Sequence, residues 1–322
     1  MLYRNFAPFF YPLHMKRALI KLHIAVFLWG FTGVLGRTIS LNEGWLVWWR
    51  MLLTVVTMWI IFGATGKIKK VSARQFLTIG SIGVLLALHW LCFYGSIKYA
   101  NVSIALICLS GSGFVSAIME PLFFGRRINI KELFFGLLTI VGIFMIYQTN
   151  LQFSTGFYIG ILACFLTVTV SILNKRIVDQ YQPESFTLYQ LTGGFIGLSV
   201  LMPFYNHAFP AITWLPAGRE WFWLIVLAWF CTIFTFILYT QALKKLSAFT
   251  MNLTLTLEPV YGILLAFVIY KENKDLSPTF YIGFIFILFA VFLQTLSLAR
   301  KRPGTAVAPL PKWWQFKIRH QK

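Results

Sequence analysis

Residues Leu253–Gly262 read LTLTLEPVYG. Glu258 and Pro259 stand side by side within an otherwise apolar run, 247–270. A charged side chain at the centre of a bilayer costs about 2.5–3.5 kcal/mol on insertion scales. Proline removes a backbone donor and kinks or breaks a helix. An apolar segment carrying both is unsuited to be simple wall. Thr250, Thr254, Glu258 and Gly262 recur at every fourth position and share one helical face. Lipid offers such a face no partners, so the stripe is expected to turn into a helix bundle.

The rest of the chain supplies a bundle. Of its 322 residues, 58% are hydrophobic and 11% charged. Soluble domains carry about 25% charged residues. Since ~20 residues cross the hydrocarbon core, ten spanning segments are predicted. They lie at about 20–37, 45–65, 76–97, 101–124, 132–148, 157–174, 184–205, 221–243, 247–270 and 279–299. The fold class is therefore an all-α integral membrane protein.

The basic residues test this count, because cytoplasmic loops are enriched in Lys and Arg. With both termini in the cytoplasm, every cytoplasmic connection is basic. Of the 28 Lys and Arg residues, only Arg37, Arg50, Lys98, Arg219, Lys271 and Lys274 fall at or near the outside. The net charge of +19 would suggest nucleic acid in a soluble protein; here the topology accounts for it. Trp45, Trp48, Trp49, Trp214, Trp221 and Trp223 form belts at the outer interface. Segment 1–19 carries no cleavable signal pattern. The basic tail, 300–322, is expected to lie on anionic lipid. The four cysteines sit in apolar runs without CxxC spacing and read as small buried hydrophobes. No metal or other cofactor is expected.

The chain also repeats itself. Shifting residues 98–148 by 146 positions aligns Lys98 with Lys244, Ser112 with Glu258 and Gly113 with Pro259. Five helices separate the halves, so 20–148 and 157–299 are predicted to be two inverted repeats of five helices. The shift sets Ser110, Gly111, Ser112 and Gly113 at the depth of Glu258-Pro259. Paired interrupted helices at corresponding places point to a transporter's binding site. Small residues that let helices pack closely are the alternative reading of the Gly/Ser cluster.

Other groups at membrane depth complete the candidate set. His89 is a candidate proton carrier or a hydrogen-bonded structural residue. Glu258 is the other candidate for a coupling proton. Trp29, Tyr94, Tyr239 and Tyr261 could line a cavity or simply pack. Arg50 is read as snorkelling outward or pairing with Glu43, and Glu120 as pairing with Arg126 near the cytoplasmic surface.

Several of these residues resemble a known family. Trp29-Gly30, Arg50, the run Ala242–Ala248, Leu257-Glu258-Pro259-Val260, Glu272 and Gly283 are similar to the pattern of EamA-type carriers of the drug/metabolite transporter superfamily. The resemblance covers about residues 20–299. It implies ten helices in two inverted repeats, a central cavity, and transport of small metabolites, often export of amino acids or related compounds. The first half departs from the pattern, with Gly113 and Arg126 where the second has Pro259 and Glu272.

The expected function is thus secondary transport across the cell membrane by alternating access, around a site between segments 4 and 9. The expected partners are a small-molecule substrate, the bilayer and a coupling proton, with no nucleic acid. No GxxxxGK[ST] loop points to ATP. A membrane-embedded enzyme acting on a lipid-soluble substrate is one competing class. It lacks support, since both aspartates lie in links and no HExxH motif is present. A passive facilitator or channel is the other, and two alternating conformations would separate it from a carrier.

Overall fold

The structure, a computed structural model, describes residues 13–125, 127–246, 251, 254, 255 and 257–299. Thr250, Arg126 and the basic tail lie outside the described residues. The described chain is helical. Its α-helices are α1 (Leu13–Thr38), α2 (Glu43–Ala64), α3 (Ala73–Tyr99), α4 (Val102–Ser110), α5 (Ser112–Phe124) and α6 (Ile130–Thr149). There follow α7 (Ser154–Ile177), α8 (Pro183–Ala208), α9 (Glu220–Ala228), α10 (Thr235–Lys245), α11 (Leu257–Tyr270) and α12 (Pro278–Ala299). A π-helical segment, Trp229–Phe234, joins α9 to α10.

Among the described residues, eight helical spans are long and apolar enough to cross a membrane, with α4–α5 counted as one and α9–α10 as another. Two shorter apolar helices, Leu257–Tyr270 and Pro278–Leu293, fall where the sequence places its last two segments. Several helices outrun their apolar cores because polar residues cap them. Ser72 and Gln75 form a capping box at the start of α3. Asn42 and Asn101 accept N–H groups at the starts of α2 and α4. Pro183 opens α8, where its missing N–H costs nothing.

The bundle buries its core between helices and shows lipid an apolar exterior. Ile60, Phe134, Phe204, Val268 and Ile285 are all exposed. Such a girdle needs an apolar solvent. Inside, α3 packs against α7 and α8, α6 against α12, and α1 against α10 and α11. The approach of α3 to α8 is close. A Cβ on Gly83 would overlap the Gln190 carbonyl, and one on Gly193 would overlap the Gly80 Cα. Small residues are what bring transmembrane backbones this near.

Candidate functional site

Irregular backbone at membrane depth must line a cavity or be buried in protein. The fourth span breaks at Gly111, which ends α4 and starts α5 with ψ −9°. The eighth widens into the π segment, a feature frequent at functional sites. Pro259 sits in the first turn of α11, next to Glu258.

Arg50 is the centre of the interior cluster. Its side chain is 1% exposed. Nε donates to the Thr232 hydroxyl at 2.8 Å and Nη1 to the Tyr94 hydroxyl at 2.8 Å. The guanidinium lies 3.8 Å from the centroid of Trp90. Thr232 belongs to the π segment and donates its own proton to the Leu227 carbonyl at 2.8 Å, so the irregular turn positions the oxygen that meets Arg50. This corrects the sequence reading: Arg50 neither snorkels nor pairs with Glu43. Glu43 instead accepts from Tyr205. Among the described residues no carboxylate lies within 4.0 Å of Arg50; the ion pair seen there joins Arg37 to Glu272.

Aromatic residues wall the cluster. Trp29 donates to the Thr235 hydroxyl at 2.9 Å and packs on Phe236 and Tyr239, with ring centroids 5.5 and 5.1 Å away. Trp90 meets Phe236 edge-on at 5.7 Å. Glu258 is half-buried and within electrostatic reach of Arg50. It is carried there by the crossing of α1 and α11. A Cβ on Gly30 would stand 3.0 Å from the Gly262 nitrogen, 3.0 Å from Tyr261 Cβ and 3.2 Å from the Glu258 carbonyl. Tyr261 stacks edge-on against Phe27 at 5.6 Å. Trp29, Tyr94, Tyr239, Glu258 and Tyr261 are thus tied to α1 or to Arg50.

The remaining candidates are placed differently. His89 Nδ1 is 2.8 Å from the Ala163 carbonyl, and its ring stacks on Phe93. That is the geometry of a buried structural histidine between α3 and α7. Ser110 turns back onto the Leu106 carbonyl at 3.2 Å, and Gly111 faces Ile143 of α6. Ser112 and Gly113 are half-buried at the start of α5, and Pro259 and Thr254 are buried. Glu120 accepts from Ser116 at 3.2 Å.

The two ends of the bundle differ. At one end Glu272, fully buried, accepts from Arg37, from the Val102 and Ser103 amides at 3.1 and 2.9 Å, and from the Ser103 hydroxyl at 2.6 Å. The carboxylate caps α4 where helix dipoles favour negative charge. Tyr270 meets Thr38 at 2.5 Å beside it. The ends of α1 and α11, the start of α4 and the α11–α12 link are closed together there. At the other end a cavity of about 710 Å³ opens between α1, α8 and α10.

A family model for the EamA-like transporter family matches residues 16–148 and 154–296. The chain belongs to the EamA-like transporter family. An uncharacterized transporter of Bacillus subtilis, YxxF, is 25% identical over 284 residues, covering 86% of this chain and 89% of its relative. An uncharacterized transporter of Haemophilus influenzae is 21% identical over 273 residues, covering 80% and 86%. A solved crystal structure superposes with TM-score 0.63 at 15% identity, covering 88% of this chain and 98% of the other. That likeness concerns the fold. Family and relatives point to a multi-pass membrane transporter rather than an enzyme. In this EamA-like chain Arg50 is the candidate site residue that sequence reasoning undervalued. The signal was available: a charge within an apolar run, the same argument that singled out Glu258.

Proposed function

We propose that the chain is a secondary transporter of the cell membrane that exports small zwitterionic metabolites, amino acids or related compounds. Arg50 carries the reading. A buried guanidinium without a carboxylate is costly, and here it is held rigid by Tyr94, Thr232 and Trp90. Such a fork suits a substrate carboxylate, which it can bind through two parallel hydrogen bonds. Glu258, within its field, takes the substrate's ammonium group. Trp29, Tyr239 and the aromatic wall contact the side chain. Pro259 and the helix break at Ser110–Gly113 supply hinges near the midplane, and Thr254 shares the helical face of Glu258.

Alternating access then exposes this cluster first to one side and then to the other, with Glu258 carrying the coupling proton. The basic end, with both termini, is cytoplasmic by the distribution of Lys and Arg. Two inverted halves are supported by packing: α1 with α11 corresponds to α7 with α4, and α1 with α10 to α7 with α3. The Arg37–Glu272 end is the closed outer side.

A thermal-shift screen of amino acids and related metabolites on the purified protein tests the reading. A metabolite should raise the unfolding temperature of wild type, and Arg50→Gln should remove the effect. A shift that survives Arg50→Gln contradicts a site at Arg50.

A further inference from the structure

The cavity of about 710 Å³ at the Lys-rich end is lined by Arg17, Lys21, Lys244, Lys245, Gln241 and the start of α8 at Pro183. Among the described residues, no acidic side chain lines the cavity. Lys21 Nζ donates to Gln241 Oε1 at 2.7 Å, and Lys244 Nζ donates to the Tyr181 carbonyl. Neither bond neutralises its cation. The α2–α3 link adds to this end: Ser185 accepts the Lys69 amide at 2.9 Å and donates to the Lys67 carbonyl at 3.2 Å. The backbone of two further lysines is thereby held beside the start of α8, with their side chains exposed.

Helix capping explains only part of this. Lys244 and Lys245 end α10, where cations complement the helix dipole. Arg17 and Lys21 lie on α1 far from its C-terminal end at Thr38, so helix capping does not account for them. Two helices thus bring four cations to one concavity, at the membrane end where basic pockets between spans hold anionic lipid headgroups. Pro183 at the start of α8 borders the same space, and the acidic residue of that first turn, Glu184, is not on the lining.

We propose that this cavity is a binding site for a phosphate-bearing anion, with Arg17, Lys21 and Lys245 as its charge and Gln241 as a neutral donor. A headgroup phosphate of an anionic phospholipid and a soluble phosphate monoester share this chemistry. The site is separate from the interior cluster at Arg50, and its occupancy is read without transport.

The test is native mass spectrometry of the full chain released from phosphatidylcholine nanodiscs. Two probes are used, phosphatidylglycerol in the bilayer and glycerol 3-phosphate in solution, against wild type and the Lys21→Gln/Lys245→Gln double variant. Each Lys or Arg near a membrane surface contributes about five-fold to anion affinity. The double variant should therefore bind roughly 25-fold more weakly. Saturable phosphatidylglycerol binding lost in the variant assigns a lipid site, and the same pattern with glycerol 3-phosphate assigns a soluble ligand. Lys21→Arg/Lys245→Arg should retain binding, which separates charge from misfolding. Equal binding by wild type and the Gln variant overturns the proposal. So does an equal loss on Lys131→Gln, outside the cavity, or a loss on the Arg variant while it stays folded.

Discussion

Arg50 and Tyr94, 44 residues apart in the chain, meet in the bundle interior through a 2.8 Å hydrogen bond from Nη1 to the phenol oxygen. Tyr94 is fully buried and Arg50 nearly so. With Thr232 on Nε and Trp90 across the guanidinium plane, the phenol leaves Arg50 one orientation. Preorganisation of this kind is what lets a buried cation favour one anion geometry.

Tyr94→Phe removes that bond and keeps the ring. Hydrogen bonds to charged groups contribute about 1.5–3 kcal/mol. Affinity for the bound metabolite should fall roughly ten-fold or more while the protein stays folded. Titration of the ligand-induced thermal shift measures it, and Arg50→Lys should lose more, since the planar fork goes too. Unchanged affinity in both variants would detach the cluster from binding.

Much of the fold was legible because membranes impose simple rules. Apolar run length, Lys and Arg placement and tryptophan belts each mark spans independently. The break at Gly111 was legible as well, since Ser110–Gly113 is a poor helix interior. The π segment was not: Trp229–Phe234 is apolar and helix-compatible, and its widening is set by tertiary contacts such as Thr232 with Arg50. The direction of Arg50 was equally hidden. A sequence gives its depth near the end of a span, and only the packing of α2 against α3 and α9 turns it inward. His89 showed the opposite limit, a polar residue at depth whose partner proved to be a backbone carbonyl.

Glu272 should prove a structural keystone of the closed end. Its side chain is fully buried while that of Arg37 is 38% exposed. The ion pair itself therefore adds little, and the capped α4 amides dominate. Glu272→Ala leaves buried donors unpaired, at a cost of about 1–3 kcal/mol. Arg37→Gln should cost less than about 1 kcal/mol. Unfolding temperatures of the two variants check the order; Arg37→Gln as the more damaging change would reverse the assignment.

If Glu258 carries a proton with each cycle, an imposed pH gradient should drive metabolite accumulation in vesicles reconstituted with wild type. His89→Gln should keep the gradient response: His89 too lies within electrostatic reach of Arg50, but its Nδ1 is committed to the Ala163 carbonyl. Transport that ignores the gradient would make the protein a facilitator. A response lost only on His89→Gln would move the proton from Glu258 to His89.

The most direct measurement is transport of a metabolite from the thermal-shift screen in reconstituted vesicles, wild type against Glu258→Gln. The substitution keeps size and removes a carboxylate within electrostatic reach of Arg50. The account predicts at least a ten-fold loss of rate, about 1.4 kcal/mol in the barrier, with an unchanged unfolding profile. Wild-type rates in Glu258→Gln would contradict it.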